Sequence, residues 1–124
     1  MSNTLVLLLL CVTYDAGCGA FHLLFWKIFN WPASLAGSGK LNAAITQTLN
    51  LMLAYSFFAY SAGLIYMAQA GHQAQSGFLL AGAGFWLLRA LLQPLLFGMK
   101  EAASIVMTLG FLVGCILHAA TALF

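Results

Sequence analysis

Apolar residues run along this chain in four long blocks. They span about Thr4 to Phe29, Leu41 to Gln69, Gly77 to Phe97 and Ala102 to Leu123. Each is near or above the roughly 20 residues that a helix needs to cross a bilayer. Three short polar stretches separate them, "NWPASLAGSGK", "AGHQAQS" and "GMKE". Connectors this short make consecutive helices antiparallel neighbours. The pattern predicts one domain over residues 1–124, an all-α integral membrane protein folded as an antiparallel four-helix bundle.

Polar positions inside the blocks are few, and they fall on stripes. On the first span Cys11, Asp15, Cys18 and His22 share an arc of roughly 60° at about 100° per residue. Gln47 and Asn50 stand three apart on the second span, and Arg89 and Gln93 four apart on the third. Ser104, Thr108, Cys115 and His118 line one side of the fourth. Lipid cannot satisfy such groups, so each stripe is expected to face the bundle interior or another protein.

Composition strengthens the membrane assignment. Of 124 residues, 64% are hydrophobic and 5% are charged, where soluble domains carry about a quarter charged residues. The net charge of +2 is too small and too dispersed for nucleic acid. Lys27 and Lys40 flank the first connector, Lys100 lies in the third, and the second has neither Lys nor Arg. The positive-inside rule then predicts a cytoplasmic first and third connector, with both termini on the non-cytoplasmic side. The expected location is a bacterial inner (plasma) membrane. Trp26 and Trp31 suit the interface, where Lys27 can snorkel.

"AGC" at 16 to 18 resembles the end of a lipoprotein cleavage box. However, Asp15 stands where an apolar residue is wanted, and "MSNT" has no basic residue. The first span is therefore expected to remain.

Depth connects the stripes. Asp15 precedes Lys27 by twelve residues, and Arg89 precedes Lys100 by eleven. Taken from the lysines, both lie ~16–18 Å into the span. An unpaired charge near the bilayer centre costs at least about 2.5–3.5 kcal/mol, so an Asp15–Arg89 ion pair is the favoured specific contact. With His22, Gln47, Asn50 and Gln93 it defines an expected polar core. "RALLQPLLFG" places Pro94 beside that core, where the ring is expected to kink or end the helix near Ala90. Gly110 and Gly114, a small-xxx-small step, are the expected packing residues, with "AGAG" at 81 to 84 as a second flat surface.

Candidate chemistry narrows the function without choosing one. Glu101, the other acidic residue, suits a helix N-terminus. No HExxH, glycine-rich phosphate loop, paired carboxylates or nucleophile–base set appears, so an enzyme is not expected and no cofactor is predicted. Cys11, Cys115, His118 and loop residue His72 share the outer half and offer soft ligands for copper or zinc. His22 and His118 lie too far apart along their spans to share one haem within a chain. Two principal readings follow. One is an accessory or scaffold subunit, self-associating or part of a larger complex. The other is a small proton-coupled transporter or binder of a lipophilic or anionic ligand, using Asp15 and Arg89.

Overall fold

The computed structural model of the protein describes residues 2–70 and 72–124, without the side chains of residues 70 and 72–74. The side chain of His72, one of the metal candidates, therefore lies outside what the structure describes. Every regular element among the described residues is helical: α1 (Asn3–Leu23), α2 (Phe25–Ile28), a 3-10 turn (Ala33–Ser38), α3 (Lys40–Ala70), α4 (His72–Phe97) and α5 (Ala102–Leu123). α1, α3, α4 and α5 are each long and apolar enough to cross a membrane.

Element boundaries differ from the hydrophobic blocks in three informative places. The first block breaks at Leu24, where α1 gives way to the single turn of α2. The chain then turns at Asn30, whose φ of 52° is left-handed. Ser34 Oγ donates to the Phe29 carbonyl and Ser38 Oγ to the Leu35 carbonyl, so this connector is partly wound rather than open. Most of the second connector is helical, because α4 already begins at His72. Ala, Gln and Ser tolerate helix well, so polarity alone does not end one there. Third, Pro94 does not end α4 near Ala90, since the helix continues to Phe97. A bilayer helix tolerates the one lost backbone bond because leaving the helix would expose several more.

The chain forms two compact units, one of residues 1–12 with 64–124 and the other of residues 13–63. In the first, α4 and α5 make an antiparallel hairpin. Ser76 Oγ, near the start of α4, donates to the Ala122 carbonyl near the end of α5 at 3.0 Å. At the opposite end Gln93 Nε2 reaches Ser104 Oγ at 3.0 Å. Trp86 (2% exposed) lies between the helices and stacks on Phe111 with ring centroids 5.8 Å apart. Gly98 closes α4 in the left-handed conformation (φ 68°), and its N–H reaches the Pro94 carbonyl at 3.2 Å. A side chain in that conformation is strained, so Gly98→Ala should cost about 1–2 kcal/mol, and Gly98→Asn less. Thermal unfolding of the purified protein in detergent would measure both.

In the second unit the end of α1 runs antiparallel to α3, because contacts move up α3 as they move back along α1. Trp26 meets Gln47, His22 meets Asn50, and Gly19 meets Ala54 and Phe58. Phe25, Phe29, Trp26 and Trp31 form an edge-to-face cluster beyond the helix end, with Trp26 and Trp31 centroids 5.4 Å apart.

Candidate functional site

The expected polar core divides between the units. Asp15, His22, Gln47 and Asn50 belong to residues 13–63, while Arg89 and Gln93 belong to the other unit.

His22 and Asn50 are joined reciprocally. Asn50 Nδ2 donates to the backbone carbonyl of His22 at 2.7 Å, and His22 Nδ1 lies 2.6 Å from Asn50 Oδ1. A carbonyl can only accept, so the amide NH2 must face it, and Oδ1 then faces the ring. Nδ1 consequently carries the proton, which leaves Nε2 as the ring's acceptor position in the neutral form. The imidazole lies 4.5 Å from the Phe25 ring and 5.5 Å from Phe57, centroid to centroid. Asn50 is buried and His22 half-buried.

Gln47 accepts from the indole Nε1–H of Trp26 at 3.0 Å and donates to the Ala43 carbonyl at 3.1 Å. The position of Trp26 at a helix end had suggested only an interfacial anchor; it also ties α2 to α3. Asp15 is 1% exposed on α1, as expected for a carboxylate that lipid cannot serve.

In the hairpin, Gln93 is 5% exposed and leads a short relay. Its Nε2–H donates to Ser104 Oγ, which donates in turn to the Gly98 carbonyl at 2.5 Å. Ser104 thus belongs to the core alongside Gln93. Gln93 Oε1 is buried without a hydrogen-bond partner among the described residues. Arg89 is half-buried, with its guanidinium carbon 4.4 Å from the Phe111 ring centroid and 5.4 Å from that of Phe97. Both distances fall within cation–π range. A depth count concerns only the Arg89 backbone; the side chain carries its charge to these two rings, reaching towards Phe97 and the turn.

The soft-ligand candidates are occupied differently. Thr121 Oγ1 spends its hydrogen on the Leu117 carbonyl at 2.7 Å. Cys11 Sγ, 3.3 Å from that oxygen, must then be the donor, which makes it a thiol rather than a thiolate. His118 is fully buried, and its Nδ1–H meets the Gly114 carbonyl at 2.8 Å. Cys115 is half-buried and, like Cys11 and Cys18, carries no disulfide. Among the described residues no three His, Cys, Asp or Glu side chains gather where they could hold a metal ion.

The packing glycines separate as well. Gly114 is buried, whereas a Cβ on Gly110 would meet no described atom within 4 Å. The close approach within residues 13–63 is at Gly19, where a Cβ would lie 3.1 Å from two Phe58 ring carbons and 3.2 Å from the Ala54 carbonyl oxygen. Sequence reasoning missed Gly19; its signal was "GCG" at 17 to 19, on the same helix as Asp15.

Among the described residues these features define an all-helical protein with four spans that fit a membrane, its polar side chains bonded partly between helices and partly to backbone carbonyls of their own helix. Compared with known proteins, the chain matches no family model, no curated protein and no solved structure.

Proposed function

We propose that the protein is a non-enzymatic accessory or scaffold subunit, an antiparallel four-helix bundle with both termini on the non-cytoplasmic side, which associates with itself or within a larger membrane complex. The observation that carries this reading is the reciprocal His22–Asn50 pair, at 2.6 and 2.7 Å. In lipid, polar bonds of this kind choose which helix faces meet. Helical spans also favour a plasma-type membrane such as the bacterial inner membrane, because outer-membrane proteins characteristically cross as closed barrels.

This reading keeps Asp15 and Arg89 as a charge pair holding two spans together. Asp15→Asn and Arg89→Gln should then each lower the membrane yield of folded protein severalfold, since either leaves one charge costing about 2.5–3.5 kcal/mol or more in the bilayer. The double variant should recover most of that yield on quantitative membrane blots. A double variant no better than the worse single one would remove the pair. For the scaffold assignment itself, in-membrane cross-linking should trap a defined oligomer or hetero-complex, and a monomer at every cross-linker concentration would count against it.

A second reading, a proton-coupled carrier or ligand binder, draws on the burial of Asp15 (1% exposed), because intramembrane carboxylates commonly serve proton relays. Its mark would be an Asp15→Asn protein that folds and inserts but no longer couples flux to a proton gradient in proteoliposomes.

A further inference from the structure

The turn end of the α4–α5 hairpin contains two groups that its own contacts leave unmatched. The first is Gln93 Oε1, a buried acceptor with no hydrogen-bond partner among the described residues. Ser104 cannot serve it while its hydrogen goes to the Gly98 carbonyl. Inverting the amide would only exchange an orphaned acceptor for orphaned N–H donors. Native structures rarely leave such a group unmatched without a reason. The second is Arg89, one helical turn before Gln93 on the same face of α4. Its guanidinium meets the faces of Phe111 and Phe97, which stabilise its charge but leave its planar fork of N–H donors for an anion.

A ligand completing both would bring a negative charge to Arg89 and a hydroxyl to Gln93 Oε1, held on one headgroup roughly a helical turn long. We propose that this end of the hairpin binds a phospholipid whose phosphodiester pairs with Arg89 and whose headgroup hydroxyl donates to Gln93 Oε1. The Arg89 side chain reaches towards Phe97 at the end of α4, so its charge can snorkel from within the span towards the interface, where lipid phosphates are the abundant anions. Phe97, 65% exposed, can meet the adjoining apolar part of the lipid. Met99 is the movable neighbour, with its sulfur 3.9 Å from Ser104 Oγ and 3.6 Å from Thr108 Oγ1. It is 40% exposed and unbranched, so its rotation can admit the hydroxyl. This inference goes beyond the scaffold reading and draws only on residues of the unit that holds α4 and α5.

The test is lipid exchange on the full chain in detergent, read by native mass spectrometry. The probes are phosphatidylglycerol, phosphatidylmethanol (the same charge without the headgroup hydroxyls), phosphatidylcholine, oleate and inorganic phosphate. Phosphatidylglycerol should bind roughly tenfold more tightly than phosphatidylmethanol, the worth of one buried hydrogen bond. Both should exceed phosphatidylcholine and oleate. Gln93→Met should equalise the first two probes, and Arg89→Gln should bring both down to phosphatidylcholine. The wild-type ranking is decisive even if a variant fails to fold. Equal binding of phosphatidylglycerol and phosphatidylmethanol overturns the hydroxyl contact. A preference for oleate overturns the phosphate, and displacement of phosphatidylglycerol by millimolar inorganic phosphate overturns the lipid.

Discussion

Gly19→Leu is expected to destabilise the α1–α3 pair by about 3 kcal/mol or more, at the upper end of what overpacking costs. The reason is which atom stands in the way. A Cβ at Gly19 would lie 3.1 Å from Phe58 Cε2 and Cζ and 3.2 Å from the Ala54 carbonyl oxygen. Phe58 is 41% exposed and can swing outward, so the ring alone would yield. The Ala54 carbonyl belongs to the backbone of α3 and can move only if the helices separate. Separation would also stretch the His22–Asn50 bonds three residues further along α1. Gly19→Ala should show a smaller loss, because alanine recovers up to about 1 kcal/mol of helix propensity against the contact. Gly17→Ala and Gly110→Ala place a methyl where no described atom lies within 4 Å and should be neutral or slightly stabilising. Denaturation of the four variants in mixed micelles would measure the ranking. A Gly19→Leu protein unfolding at the wild-type midpoint would mean that α1 and α3 do not approach this closely.

The contrast between Gly19 and Gly110 illustrates what can be read from the chain and what cannot. Spans are legible because apolar length against bilayer thickness is a one-dimensional property; all four appear with the expected composition. Stripes are legible for the same reason, since 100° per residue converts spacing into a face, and His22 and Asn50 were both on such faces. Partner choice is not one-dimensional. Nothing in the spacing of Gln47 says that Trp26 will reach it, or that Ser104 will take up Gln93, because each contact depends on how two helices are placed together. Arg89 adds a further lesson. A depth count locates a Cα, whereas a long side chain chooses its own surroundings, here the rings of Phe97 and Phe111. The second connector shows the reverse error, with polarity read as a loop where α4 had already begun.

Asn50→Leu should cost about 2–3 kcal/mol, more than a single interhelical hydrogen bond in a membrane usually provides. Two bonds disappear together, Nδ2 to the His22 carbonyl and Oδ1 with His22 Nδ1. The carbonyl and the Nδ1–H are then left without this partner at a site where Asn50 itself is only 6% exposed. His22→Leu should cost less, because the bond from Asn50 Nδ2 ends on the backbone of residue 22 and survives the loss of the ring. The pair is therefore asymmetric, and the asymmetry is the test. If Asn50 merely fills space, the two single variants should differ only by packing and the double variant should be additive. If it fastens α3 to α1, Asn50→Leu should be the worse single. The double variant should then fall short of additivity by about 1 kcal/mol, since His22→Leu has already removed one of the two bonds that Asn50→Leu would break. Additive losses with His22→Leu the more severe would leave the ring's packing against Phe25 and Phe57 as the determinant, and with it the chief support for a scaffold built on polar helix pairing would go.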